Sequence, residues 1–148
     1  MIIMRGFKIA KGYENHSVRL PKRATMKSAG YDFEICESVT LNPGEIKRAK
    51  TGVKAYMNDD EVLKLYPRSS LPAKYGVTIP NNVGIIDADY YGNEKNDGAI
   101  FIQLINFSKQ PVTLEKNTRI AQGIFIKYLK AEHDTFVGKR TGGFGSTG

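Results

Sequence analysis

No window of this 148-residue chain places apolar residues at i, i+3, i+4 and i+7 over three helical turns, which removes helical architectures at the outset. What recurs instead are short alternating or apolar runs: Val39-Thr40-Leu41, Val53-Lys54-Ala55-Tyr56, Val62 to Tyr66, Ala99 to Phe107 and Ile120 to Leu129. Turn-forming clusters separate them, namely Asn42-Pro43-Gly44-Glu45, Asn58-Asp59-Asp60, Asn93 to Gly98 and Glu115-Lys116-Asn117. Many short strands at close spacing in one domain predict an all-β sandwich, jelly roll or barrel. The best helical candidate is a turn or two around Ser69 to Tyr75, interrupted by Pro72.

Length argues for one domain with a real core, and a hydrophobic content of 41% excludes wholesale disorder. No apolar run approaches the roughly 18 residues of a membrane span, and MIIMRGFKIA does not read as a signal peptide. A single cysteine, Cys36, allows no intrachain disulfide and points to the cytoplasm. The formal net charge of +7 favours anionic partners. The basic residues are dispersed, with short clusters at Lys22-Arg23 and at Lys47-Arg48-Ala49-Lys50, and are not interleaved with aromatics. That pattern fits attraction of a small polyphosphate, and no direct nucleic-acid binding is expected.

Three stretches break the β pattern. In GIIDADYYG, residues 84–92, an apolar strand surfaces into Asp87 and Asp89, which can act as general bases or metal ligands. Aspartate is also an ordinary turn residue that bonds its own backbone. In PRSSLPAKYG, residues 67–76, Arg68 precedes two hydroxyls, either as a phosphate cradle or as a serine-capped helical turn. The tail RTGGFGSTG, residues 140–148, has the composition of a solvated linker, yet carries a guanidinium and an aromatic ring. Its glycine amides with Ser146 and Thr147 suit an anion, and Phe144 offers a face for a base.

Taken in order, five segments resemble the motifs of the trimeric dUTPases: Ala29-Gly30-Tyr31-Asp32, Pro67-Arg68-Ser69-Ser70-Leu71, Gly84 to Tyr90, Arg119-Ile120-Ala121-Gln122 and Gly142 to Gly148. The resemblance implies a distorted jelly-roll β-barrel of the β-clip type over residues 1–130 and a flexible closing arm over 131–148. It implies a homotrimer with composite sites that splits dUTP into dUMP and pyrophosphate with Mg²⁺, keeping uracil out of DNA and supplying dUMP for thymidylate synthesis. Asp87 would be the general base for the attacking water, and Asp32 would lie near the metal's water shell. Arg68, Ser69, Ser70 and Gln122 match phosphate-side positions. Asn81, with the backbone to Gly84, would form the uracil pocket, Ile86 would be a further substrate-binding position, and Tyr90 would pack against deoxyribose. Arg140, Phe144, Gly145, Ser146 and Thr147 would close over the nucleotide from a neighbouring subunit.

The family's usual tail places arginine five residues before the phenylalanine, where this chain has Lys139, with Arg140 one residue closer. The connection Asn93 to Gly98 is longer than usual and reads as an extended surface hairpin. Deamination of dCTP on the same fold needs a glutamate where this chain has Gln103, which cannot take a proton from water. A binding module in which a nucleotide controls a partner is the alternative from another class. His16 and His133 lie outside every motif and read as surface residues, and Cys36 as a small apolar filler.

Overall fold

A computed structural model describes residues 4–134 together with Phe136, Gly138, Arg140, Gly142 and Gly143. Its strands are β1 (Gly6–Ile9), β2 (Lys22–Arg23), β3 (Tyr31–Glu34), β4 (Val39–Leu41), β5 (Ile46–Lys50) and β6 (Val53–Tyr56), then β7 (Glu61–Pro67), β8 (Val77–Thr78), β9 (Gly84–Asp87), β10 (Phe101–Asn106), β11 (Val112–Leu114) and β12 (Arg119–Lys127). They form a five-stranded sheet in the order β2-β3-β12-β7-β9, a three-stranded sheet β5-β10-β8, and the pairs β1-β6 and β11-β4. Every ladder is antiparallel, and among the described residues only β2 and β3 are both consecutive and paired. A chain that keeps crossing between sheets in this way is a jelly-roll-type all-β fold.

The core lies between the sheets, where Phe33, Leu41, Leu63, Ile100, Leu104, Leu114 and Ile120 are fully buried. Each such side chain contributes ~1.5–3 kcal/mol of transfer free energy. β10 shows the mechanism locally, with Ile102, Leu104 and Asn106 facing inward and alternate residues half-exposed. Asn106 is a polar group in that core and is satisfied on both sides. Its amide donates to the Leu41 and Gln110 carbonyls at 3.0 and 2.7 Å, while its oxygen accepts from the Ser108 amide and hydroxyl.

The expected helical turn is present as a π-helical segment, Leu71–Tyr75, with Pro72 near its start, where a missing N–H costs least. It ends at Gly76, whose φ of 65° is left-handed and whose added Cβ would meet Ser108 Cβ at 2.7 Å. Among the described residues no helix is long and apolar enough to cross a membrane. Cys36 is buried, and that burial pushes its thiol pKa up. His133 is exposed as expected, whereas His16 is half-buried with its ring 5.0 Å from Tyr13.

Segment 93–98 is not the hairpin expected from its composition. β9 pairs with β7 and β10 with β5 and β8, so no ladder joins the two strands that flank it. The segment is instead a compact set of turns, with Asn93 buried and Asp97 at φ 60°.

One ion pair fastens the start of the chain. Glu61, 4% exposed, accepts from Arg5 Nε at 2.8 Å and from the Asn58 amide at 2.9 Å. The Arg5 hydrogen bond holds the Glu61 carboxyl below its ordinary pKa, and Lys54 does the same to Asp97. A depressed folded-state pKa adds stability that is complete above the unfolded value, about 4, and is lost as pH falls through the folded one. Thermal midpoints should therefore hold from neutral pH to about pH 5 and drop below it. Glu61→Gln should lower the midpoint at pH 7 and flatten the acid limb. An unchanged acid slope in that variant would refute the assignment.

Candidate active site

β9 carries the apolar run Gly84-Ile85-Ile86 into Asp87, and a single 3₁₀ turn, Ala88–Tyr90, follows. Asp87 occupies the capping position of that turn but makes no side-chain capping bond. The ordinary turn role for this carboxylate is therefore not what the structure shows. β9 is an edge strand, paired only with β7 among the described residues, so its other edge presents backbone donors and acceptors. Next to it Tyr90 is 3% exposed, with its hydroxyl donating to the Ala99 carbonyl at 2.6 Å. Burial raises the phenol pKa, so the group stays neutral and remains a donor.

A cleft of 420 Å³ runs along this edge, lined by Ile79, Asn81, Gly84, Ile86, Asp87, Tyr90, Phe101, Gln103, Arg140 and Gly143 among others. Asn81, on the exposed turn before β9, donates weakly to the Val83 carbonyl at 3.4 Å. Arg140 brings the tail into this cleft. Its guanidinium bonds Asp87, reaches Asp89 Oδ1 at 2.7 Å and donates to the Gly142 carbonyl at 2.8 Å. Gly143 lies against the Tyr90 ring, where an added Cβ would be 2.7 Å from Cε1. In this single chain the arm thus meets its own cleft, where the family pattern led us to expect a neighbour's. Lys139, Phe144, Gly145, Ser146 and Thr147 lie outside the described residues.

The residues expected on the phosphate side gather elsewhere. Asp32 on β3 faces Gln122 on β12, which faces Tyr66 on β7. Arg68 Nε approaches Asp32 Oδ1 at 3.3 Å, and Arg119 approaches Oδ2 at 3.6 Å. Ser69 and Ser70 are exposed just before the π-helical segment, and Ser70 makes no side-chain capping bond. A second cleft, of 450 Å³, borders Asp32 with Arg19, Lys22, Arg23, Glu34 and Arg119. Asp87 pairs in register with Val62, four residues along β7 from Tyr66. Three strand spacings across and four residues along separate Asp32 from Asp87 by roughly 20 Å.

The structure therefore brings Asn81, Gly84, Ile86, Asp87, Tyr90 and Arg140 together, and keeps Asp32, Arg68 and Gln122 together at a distance from them. Sequence reasoning missed Ile79 and Phe101 in the lining and the double pairing of Arg140. Asp89, two residues beyond Asp87, was visible as a second carboxylate. Nothing in the sequence marked Arg140 as its partner.

Fold and cleft define an all-β protein with a cleft lined by a strand edge, a buried phenol and one carboxylate, Asp87, paired with Arg140. A dUTPase family model matches residues 16–148. A deoxyuridine 5'-triphosphate nucleotidohydrolase of Lactococcus lactis is 50% identical over 147 residues, covering 98% of each chain. That of Rickettsia felis is 39% identical over 145 residues, covering 93% of this chain and 94% of the other. The crystal structure of a dUTPase from Streptococcus mutans superposes with a TM-score of 0.82 at 44% identity, over 86% of this chain and 98% of that one. The chain belongs to the dUTPase family and is an enzyme of that family.

Proposed function

We propose that this protein hydrolyses dUTP to dUMP and pyrophosphate with Mg²⁺, as a homotrimer whose sites draw on more than one chain. The observation that carries the reading is the cleft at the end of β9, where Asp87, unspent on capping, stands beside the buried Tyr90. In this reading uracil pairs with the free edge from Asn81 through Gly84 to Ile86. Deoxyribose lies on the Tyr90 ring, which leaves no room for a ribose 2′-hydroxyl. Asp87 takes a proton from water as the water oxygen bonds the α-phosphorus. The bond from that phosphorus to the bridging oxygen breaks, and pyrophosphate leaves with the electron pair.

Arg140 exchanges carboxylate for phosphate when the triphosphate arrives, because both are oxyanions that a guanidinium can fork. The arm, residues 131–148, closes the site: Phe144 stacks on the base, and the amide of Gly145 with the Ser146 and Thr147 hydroxyls holds the terminal phosphate. Arg68, Ser69, Ser70 and Gln122 bind the remaining phosphate oxygens. Among the described residues no three His, Cys, Asp or Glu side chains converge as a metal cage. One carboxylate beside one amide, Asp32 with Gln122, fits an ion held mainly by substrate oxygens and its own waters. Bound Mg²⁺ would offset the charge of the triphosphate.

A separation of roughly 20 Å between Asp87 and Asp32 exceeds the reach of one triphosphate, and this supports sites shared between chains. We place the enzyme in the cytoplasm, in keeping with its buried, unpaired Cys36. Its activity would keep uracil out of DNA and supply dUMP for thymidylate synthesis. The test is pyrophosphate release with Mg²⁺ from dUTP, UTP, dCTP and dTTP. Release from dUTP far ahead of the others is expected. Equal hydrolysis of UTP would remove Tyr90 as the sugar gate, and no release from dUTP would remove the reading itself.

A further inference from the structure

We propose that the 93–98 turn is a positioning element for Tyr90, and that Asn96, Asp97 and Lys54 thereby set discrimination between deoxyribose and ribose. This rests on the reading of Tyr90 as the sugar gate. A steric gate works only if the ring cannot yield, since a ring that swings aside lets the extra hydroxyl in. The hold on the Tyr90 phenol oxygen comes from the segment that follows it. The hydroxyl donates to the Ala99 carbonyl at 2.6 Å, and the Ala99 amide in turn donates to the Asn96 carbonyl at 3.0 Å. Asn96 is itself oriented, because its Oδ1 accepts the Gly98 amide at 3.0 Å.

The turn is in turn fastened to the barrel. Asp97 Oδ2 accepts from Lys54 Nζ on β6 at 2.7 Å and from the Lys11 amide beyond β1 at 2.8 Å. Lys54 is three-quarters or more buried and also lies 4.8 Å from the centre of the Tyr91 ring, so its ammonium is held from two sides. Asp97 sits at φ 60°, a conformation it keeps because its amide donates to the Asn93 carbonyl at 2.7 Å and its carbonyl accepts the Gly92 amide at 3.2 Å. Gly98, at φ 84°, presses on the backbone under the gate. A Cβ there would stand 2.8 Å from the Tyr90 carbonyl oxygen and 2.9 Å from Tyr91 Cα. The segment therefore packs against the Tyr90 backbone and leads directly into the carbonyl that accepts its hydroxyl. None of these three side chains lines the cleft, so they act through Tyr90 and do not touch substrate.

The experiment compares wild type with Asn96→Ala, Lys54→Met and Lys54→Arg. The ratio of kcat/KM for dUTP to that for UTP should fall roughly 3- to 30-fold in Asn96→Ala and Lys54→Met, through faster use of UTP. The kcat for dUTP should stay within about 3-fold of wild type. Lys54→Arg keeps a cation in reach of Asp97 and should keep most of the discrimination. A readout free of activity comes from ligand-free protein grown with 3-fluorotyrosine, the Tyr90 ¹⁹F resonance being assigned by its loss in Tyr90→Phe. That resonance should shift or narrow in Asn96→Ala and Lys54→Met and stay in place in Lys54→Arg. Wild-type discrimination with an unchanged ratio and resonance in the variants would overturn the positioning role and leave the gate intact. Equal use of dUTP and UTP by wild type would instead overturn the gate.

Discussion

Asp87→Asn is expected to lower dUTP turnover by ~10²–10⁴-fold, the range for loss of a positioned general base. The substitution keeps the shape of the side chain and removes its capacity to accept a proton. Asp87 is half-exposed at the end of β9 and makes no capping bond to its own turn, so the change should leave the fold intact. Binding should survive or tighten, because a negative charge facing phosphates disappears and Arg140 is released from one of its two carboxylates. Turnover by pyrophosphate release, and affinity for a non-hydrolysable dUTP analogue by calorimetry, separate the two effects. Near-normal turnover would mean that another group is the base.

The second large effect is recovery of activity from two inactive proteins. Asp87→Asn spoils the β9 cleft, and Arg68→Ala spoils the phosphate-side cluster roughly 20 Å away on the same chain. If each site takes its base from one subunit and its phosphate ligands from another, mixed trimers contain intact sites. Random assembly of equal amounts gives each half the correct chain half the time, so activity should rise to roughly a quarter of wild type. The parents are unfolded together, refolded and checked by light scattering for trimers. Trimers without activity would show that both halves are used within one chain. The same mixing with an arm-deleted chain distinguishes an arm that closes its own cleft, as Arg140 does here, from one that crosses to a neighbour.

Strands whose alternation was undisturbed were legible directly. Val39–Leu41 and Val53–Tyr56 have the bounds expected, because each places small or branched apolar residues on one face of a pleat. β5 was not legible. Its only inward residue is Ala49, and the charges of Lys47, Arg48 and Lys50 concealed a strand that pairs with β10 along its whole length. β2, with two exposed basic residues, was hidden for the same reason. Segment 93–98 misled in the other direction. Asn, Asp and Gly announce a turn, but only the pairing of β9 with β7 and β10 with β5 shows that no hairpin exists.

For the site, the residue types in order were enough to name the family and to single out Asp87, Tyr90 and Arg68, since those local patterns carry their chemistry in the chain itself. What they could not contain is distance. Whether Arg140 reaches Asp87 and Asp89, and whether Asp32 stands near Asp87 or far from it, depends on ladders that join residues tens of positions apart. Local propensity is set by a residue and its neighbours, whereas the placement of one strand beside another is set by the packing of the whole core. So the sequence alone determined an all-β chain that carries, in parts, the motifs of the dUTPase family. The tertiary structure alone decided that those parts lie in two separate places, and that Lys54, on a strand with no motif, holds the turn behind Tyr90.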